Sequence, residues 1–388
     1  MKIAYVYDAI YPFVKGGGER RIFEIANRLS HRGHEIHLFG MKYWEGPDSF
    51  RNNDIWYHAL GAVVPLYHAS GRRSIRQALQ FGVQSWRILF QGRFDVVDCG
   101  QWPYFHFLPI KLHTFLHRSH FVVSWYEVWG RHWYKYLGAA GAAGLAVERS
   151  FCHLPEKLIA VSDVTCRDLI ASGVPPGKVK VIPNGIGYNH ICTVEPAPDH
   201  HDIAYCGRLK NHKNVDVLLR AVAIIKRTKP NVSAVIIGGG PEREPLELLA
   251  GQLGVKDNVR FTGILDDFDE VAALLKSSSV FIHPSTKEGG GSITLLEANA
   301  CGLPVIAVRC ENGVDPSLIR QGENGYFVDS LSPELIAELA TKLLFNCAQL
   351  SNNREAAMRM AADFDWDIIA AQHERLYADL LGKGMREA

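Results

Sequence analysis

The sequence predicts an α/β protein made of two Rossmann-like, doubly wound parallel-sheet domains. Three observations carry that expectation. The 388 residues exceed what one ordinary core holds and suit two domains of roughly 150 to 200 residues each. The chain opens on a strand–helix–strand unit, the pattern that parallel pairing requires. The alternation then lapses in a Pro- and His-rich stretch at 188–202, "YNHICTVEPAPDHHD", and starts afresh beyond it.

In order, the first half predicts a strand at 3–7, a helix at 19–30 with Ile22, Ile25, Ala26 and Leu29 on one face, and a strand at 35–39. Strands follow at 95–98, 121–125, 158–161 and 179–182, interleaved with helical or aromatic segments. The second half is more regular: strands at 203–207, 233–239, 259–263, 280–284 and 304–308, with helices at 214–227, 242–253, 267–277 and 293–301 between them. A last helix at 365–381 carries Ile368, Ile369, Leu376 and Leu380 and is free to pack back on the first half. The expected domains are therefore 1–190 and 191–364, followed by the helical tail 365–388.

Composition narrows the function classes. Lys+Arg 42 against Asp+Glu 41 gives a formal charge of +1, so no global field recruits nucleic acid. Eight cysteines are scattered without a C-x-x-C pair, which disfavours a zinc knuckle or a disulfide framework and points to a reducing, cytoplasmic setting. No stretch reaches the ~18 apolar residues of a membrane span, and the opening "MKIAYVYDAIYPF" is too short an apolar run for a signal peptide. A soluble protein that can touch a membrane is expected.

Several constellations could carry chemistry. "GGGERR" (16–21) stands where a strand leads into a helix, and its glycines could form an N–H nest for an anion or serve as a plain turn. Neither it nor "GGGPER" (238–243) completes G-x-G-x-x-G or G-x-x-x-x-G-K-[ST], so dinucleotide and P-loop readings are weak. In "YCGRLKNHKN", Arg208 and Lys213 follow a strand end as two cations able to clamp a diphosphate. Ligands in an open parallel sheet sit beyond the carboxyl ends of the strands. That edge would receive Gly207–Lys213, Gly238–Pro241, the 263–265 turn with Ile264 and Leu265, and Ser285–Gly291.

"STKEGGGSITLLEANACG" (285–302) sets Glu288 and Glu297 on either side of a glycine run. Thr294 with Glu297 reads as a capping box that needs no ligand. The glycines 289–291 read instead as backbone brought close to an anion or sugar at a helix start. His113 and His117 are spaced i, i+4, but no Glu base accompanies them, and a solvated helix face is the preferred reading. The segments "QWPYFHFLP" (101–109) and "SWYEVWGRHWYKYLG" (124–138) are either an apolar core edge or an acceptor cleft, because aromatic faces stack on rings and sugars.

With "GGGE", "GRLKNHKN", "IIGGGPE", "EGGGSITLLEANACGLPVIA" and "NGYFV" in this order, nearly the whole chain resembles the retaining glycosyltransferases of family four. The last four motifs together are specific. The resemblance implies the glycosyltransferase-B fold, two domains facing a cleft, with an acceptor on the N-terminal domain and a nucleotide-diphosphate sugar, UDP or GDP type, on the C-terminal one. It implies hexosyl transfer with retention and no metal or other cofactor. Arg208 and Lys213 would hold the leaving diphosphate, Glu288 the transferring sugar and Glu297 the ribose. The backbone of Gly207, Gly290, Gly291 and Ser292 would lie near sugar or phosphate, and that of Gly17 and Gly18 against the donor.

Three departures stand out. Eight residues separate the two glutamates where the family usually has seven, which predicts a bulge in "GGGS". Tyr126 stands where His is common, so a phenol would take over a sugar or phosphate contact. Gly187 stands where Asp is common, in the linker turn. The acceptor, whether small molecule, lipid-linked or glycan, is not specified by these motifs, nor is the oligomeric state. A lipid-linked acceptor would bring peripheral membrane contact. Two other readings share the fold: a nucleotide-sugar 2-epimerase, which needs acid and base groups around the sugar ring, and a non-catalytic sugar-nucleotide binding protein.

Overall fold

The structure, a computed structural model, describes residues 1–66, 73–288 and 291–382. It divides into two units, Met1–Asn184 with Trp366–Ala388, and Gly185–Asp365.

The first unit holds an eight-stranded sheet. Its strands are β1 (Lys2–Val6), β2 (Glu35–Met41), β3 (Ser49–Asn52), β4 (Ile55–Gly61), β5 (Val96–Gly100), β6 (His120–Trp125), β7 (Lys157–Ala160) and β8 (Val179–Val181), in the order β3-β4-β2-β1-β5-β6-β7-β8. All pairs are parallel except the β3–β4 hairpin at the edge. Alternation along β1 sends Ala4 and Val6 to one face and Ile3 and Tyr5 to the other, and both faces are covered, which is why these strands read as unbroken apolar runs. Helices α1 (Gly17–His31), α2 (Ile75–Gln84), α3 (Phe107–His117), α4 (His132–Leu137), α5 (Gly141–Phe151) and α6 (Asp163–Ala171) make the crossovers and covers.

The second unit starts earlier than expected. Residues 185–190 belong to it, and the stretch read as linker contains helix α7 (Tyr188–Thr193), because Ile186 and Ile191 are buried in this unit's core. Six parallel strands follow: β9 (His201–Cys206), β10 (Ala234–Ile237), β11 (Val259–Gly263), β12 (Ser278–His283), β13 (Val305–Val308) and β14 (Gly325–Val328), ordered β11-β10-β9-β12-β13-β14. Helices α8 (Val215–Ile225), α9 (Arg243–Gln252), α10 (Phe268–Lys276), α11 (Ile293–Ala300), α12 (Pro333–Leu344) and α13 (Cys347–Ala362) pack on them. Strand β14 and the last two of these helices go beyond the predicted elements. The start of α12 carries a legible signal, Ser332 capping the N–H of Leu335 with Pro333 in the first turn.

Helix α14 (Trp366–Leu380) returns to the first unit. Trp366, Ile369, His373, Leu376 and Tyr377 form its buried face, whereas Ile368, expected inside, is exposed. Arg28 of α1 and Arg32 just after it donate to Asp367 at 2.7 Å and Glu374 at 2.8 Å. Tyr377 Oη donates to the buried Asp98 at 2.7 Å. Burial pushes the Asp98 carboxyl up to about 6 against the pull of Tyr377 and Arg21.

Candidate active site

In the second unit the strand order 3-2-1-4-5-6 reverses direction between β9 and β12. The two chains leaving that point run to opposite faces of the sheet, which opens a crevice at the strands' carboxyl ends. The loop after β9 carries Arg208, Lys210 and Lys213; the loop after β12 carries Lys287 and Glu288. Together with Gly207, Gly291, Ser292 and Thr294 they line a cavity of about 540 Å³. Four cations against one carboxylate make this a site for an anion of more than one charge.

Asn214 ties the two loops together. It adopts a left-handed backbone (φ 51°) and its amide donates to Pro284 O at 3.0 Å, Thr286 Oγ1 at 3.2 Å and His212 O at 3.1 Å, while Thr286 N donates to His212 O at 3.1 Å. The stitched loops set Lys213 Nζ 2.5 Å from Glu288 Oε1, and His283 Nε2 reaches the same oxygen at 2.9 Å. Burial raises the Glu288 carboxyl, but the His283 hydrogen bond and charge and the Lys213 charge outweigh it and hold the group down at about 2. Glu288 is therefore a fixed, ionised acceptor.

Gly238 and Gly240 serve close approach: a Cβ on the first would lie 2.1 Å from Gly207 O, and on the second 2.3 Å from Leu209 O. Leu209 N in turn donates to Gly239 O at 2.9 Å. The ends of β9, β10 and β11 are thus drawn together, but only β9 and β12 supply the cavity's charged groups. Ile264 is exposed beside Gly239, and neither it nor Leu265 is among the cavity's lining residues.

Ser292 is the N-cap of helix α11, and Thr294 is already inside it. The capping box read between Thr294 and Glu297 is therefore incorrect: Glu297 lies in the helix interior, too far along to reach back to its start. Glu297 is buried and does not line the cavity, although its charge, after burial, helps push the Cys206 thiol at the end of β9 up to about 12. Gly290, and with it the bulge expected in the glycine run, lies outside the described residues.

The first unit repeats the arrangement, its order reversing between β1 and β5. Gly17 and Gly18 open α1, and a Cβ on Gly18 would meet Tyr7 Oη at 3.1 Å and Tyr126 Oη at 3.4 Å. Gln101, just after β5, accepts from the N–H groups of Tyr126 and Glu127 and donates to Glu127 O at 2.7 Å, fixing the chain that carries Tyr126. The Tyr126 hydroxyl is buried and has no hydrogen-bond partner among the described residues. Burial pushes its pKa well above the usual phenol value, so it is a neutral donor. Asp8, following β1, is wholly buried; its Oδ2 accepts from Arg73 and from Gln77 at 2.8 Å, and its Oδ1 has no hydrogen-bond partner among the described residues.

Arg73 also lines a second cavity of about 540 Å³ whose walls are largely Trp102, Tyr104, Trp129, Trp133 and Tyr136. Trp129 packs with its ring centre 4.8 Å from those of both Trp102, edge to face, and Trp133, at a tilt. Glu148 of α5 holds this wall: it accepts from Trp129 N (2.9 Å), Gly130 N (2.7 Å), Trp133 Nε1 (3.2 Å) and Tyr104 Oη (3.1 Å). Glu148→Leu strands four donors, two of them in fully buried bonds, and a loss of about 3 kcal/mol or more is expected in denaturant unfolding; a loss under 1 kcal/mol would show that the wall stands without it. No motif in the sequence singled out Glu148, Gln101 or Asp8, whose partners come from other segments, or His283, whose contact with Glu288 depends on the loop after β12 turning back. His113, read as part of a solvated face, is instead fully buried and packs at a tilt against His117, ring centres 4.4 Å apart. Burial and then the His117 charge push His113 down to about 4.

Residues 15–189 match the profile described as Glycosyltransferase Family 4, and residues 194–360 match Glycosyl transferases group 1. A D-inositol 3-phosphate glycosyltransferase of Corynebacterium jeikeium is 35% identical over 191 residues, 47% of this chain and 45% of the relative. A GDP-mannose-dependent alpha-(1-6)-phosphatidylinositol monomannoside mannosyltransferase of Mycobacterium tuberculosis is 34% identical over 177 residues, 42% and 44% of the two chains. The matched region thus spans less than half the length of these curated relatives. An uncharacterized glycosyltransferase of Methanocaldococcus jannaschii is 27% identical over 97% of this chain and 98% of its own. Among solved structures, Anabaena HepE in complex with UDP has a TM-score of 0.73 at 17% identity, covering 98% of this chain and 100% of that one. Sucrose-phosphate synthase from Thermosynechococcus elongatus has a TM-score of 0.78 at 18% identity, covering 98% and 99%. These two show the glycosyltransferase-B fold.

Proposed function

The chain belongs to the family-four glycosyltransferases, with both of the matching regions present in order, and from that premise we propose that it moves a sugar, with retention, from a nucleotide-diphosphate sugar to an acceptor bound by the first unit. The observation that carries the proposal is the polycationic cavity at the β9/β12 switch point, built around an ionised glutamate that Lys213 and His283 hold in place.

In this reading Arg208 and Lys213 neutralise the diphosphate, and Glu288 accepts from the hydroxyls of the transferring sugar. The acceptor oxygen attacks the anomeric carbon on the face the leaving group departs from. The bond from that carbon to the phosphate oxygen breaks, and the same phosphate oxygen takes the acceptor's proton. No protein nucleophile is required, and the chain's contribution is position and charge. The unsatisfied Tyr126 hydroxyl and Asp8 Oδ1 are buried polar groups suited to substrate hydroxyls, since such atoms rarely stay unpaired. The braced aromatic cavity suits an apolar or ring-bearing part of the acceptor and favours transfer over epimerisation, which needs no second substrate pocket.

Relatives named as GDP-mannose-dependent and a fold neighbour bound to UDP support a UDP or GDP donor. A thermal-shift series with UDP, GDP and ADP tests the donor. At about 100 times its Kd the preferred one adds about 2.7 kcal/mol of stability. Transfer is then followed by NMR of the product's anomeric configuration. No shift with any diphosphate, or an inverted product, overturns the proposal. Activity is expected to persist in excess EDTA, because the cations replace a metal at the phosphates; loss on chelation with rescue by manganese or magnesium would contradict that.

From the family resemblance, and although it lies behind the cavity lining, Glu297 is proposed to accept from the donor's ribose, which does not react. Glu297→Gln is expected to raise the donor KM about tenfold with kcat within about threefold. Wild-type KM would remove the ribose role.

A further inference from the structure

We propose that the first unit docks on an anionic bilayer surface through the outward faces of α2, the 3-10 turn Ser85–Phe90 and α3. The turn packs against both helices, and all three lie on one side of the sheet, where Phe81, Ile88, Phe107 and Ile110 bury their inner faces in a single core. Their outer faces are apolar as well. Ile75, Leu79 and Val83 repeat every four residues along α2, and Val83 is 72% exposed. Trp86 and Phe90 continue the row on the turn, Phe90 at 88% exposure. On α3, Phe115 (77% exposed) and Leu116 face solvent in the same way. A run of large apolar side chains exposed over three neighbouring elements marks an interaction surface, not scattered surface leucines.

Charge selects the occupant. The exposed charges on and beside these elements are Arg76, Arg87, Arg93, Lys111 and Arg118. Between residues 55 and 126 the only carboxylates are Asp95 and Asp98. Asp95 accepts from the Lys2 N–H, and Asp98 is buried under Tyr377. A chain of net charge +1 thus concentrates cations around this apolar surface. A two-fold contact between copies would set Arg76, Arg87 and Lys111 against their own kind. A bilayer with anionic headgroups satisfies both halves of the pattern: apolar rings enter the interface while Arg and Lys stay at headgroup level. No helix among the described residues is long and apolar enough to cross a membrane, so the contact is interfacial. Ile75 belongs both to this surface and to the rim of the aromatic cavity, which gives a bilayer-borne acceptor a route into it; only that last step rests on the transfer reading.

Flotation with vesicles tests the docking independently of activity. The full chain is expected to float with vesicles of equal parts phosphatidylcholine and phosphatidylglycerol. Binding should weaken at least tenfold with phosphatidylcholine alone, or in about 0.5 M salt, where screening shortens the reach of charge to a few ångströms. Each of Arg76→Ala, Arg87→Ala and Lys111→Ala is expected to weaken it about fivefold. The triple variant Val83→Ser, Phe90→Ser, Phe115→Ser should lose at least tenfold while keeping its Tm and its nucleotide-diphosphate shift, since these side chains are exposed. Absence of binding to the mixed vesicles, or undiminished binding by the triple variant, overturns the proposal. So does a dimer in analytical ultracentrifugation that the triple variant abolishes, because the surface would then be a contact between copies.

Discussion

Lys213→Ala and Arg208→Ala are each expected to lower kcat about 10²-fold or more, with the fold retained. The leaving diphosphate gains charge as the bond to the anomeric carbon breaks, and cations already fixed beside it stabilise that state most. Arg208 is exposed on the cavity wall, so its loss removes charge without disturbing the core. Lys213 has a second role that Arg208 lacks, because it is ion-paired to Glu288. Its removal leaves His283 alone to oppose the effect of burial on that carboxylate. Steady-state kinetics with the preferred donor, beside thermal melts, decide the matter: wild-type kcat in both variants removes the diphosphate clamp.

The second large effect is expected at Glu288, where Glu288→Gln should lower kcat about 10²-fold with a smaller change in donor KM. Gln keeps an acceptor for sugar hydroxyls but not the negative charge facing the reacting centre, and that charge acts most strongly as positive character develops at the anomeric carbon. Because Lys213 and Glu288 share one ion pair, the double variant should be little worse than the more damaging single one. Full additivity would mean that the two act separately. The pH dependence follows from the same geometry. The folded-state value of Glu288 is depressed to about 2, so its stabilising contribution is complete above the ordinary carboxylate value and is lost as pH falls toward about 2. In Lys213→Ala the folded-state value rises toward the ordinary one, so the loss is smaller and is complete at higher pH, visible as a shallower acid limb of Tm. An unmoved limb would show that His283 alone holds the carboxylate.

The chain's periodicities were sufficient for two α/β halves, for most strands, and for the placement of Arg208, Lys213 and Glu288 at strand ends, since period and glycine position are local properties of sequence. The sequence also holds the apolar-basic character of α2 and α3 and the start signal of α12. It could not assign them, because an apolar stripe at helical spacing reads the same whether it faces a core or solvent. His113 shows the converse: a polar residue on a helix, buried against Phe94 from the chain just before β5 and against His117 one turn along.

Only the tertiary structure decided which strands are neighbours, and therefore that the direction of winding reverses between β9 and β12 and a crevice opens there. It moved residues 185–190 into the second unit and α14 into the first, since a chain continues into whichever core buries its apolar face. It replaced the capping box with a helix whose N-cap is Ser292, and it joined Lys213, His283 and Glu288 through the loops that Asn214 stitches. Glu148 gained four donors contributed by Tyr104, Trp129, Gly130 and Trp133. Sequence fixes which groups are polar and how often they recur; the satisfaction of a buried carboxylate depends on donors brought together by packing, and no local pattern records where they come from.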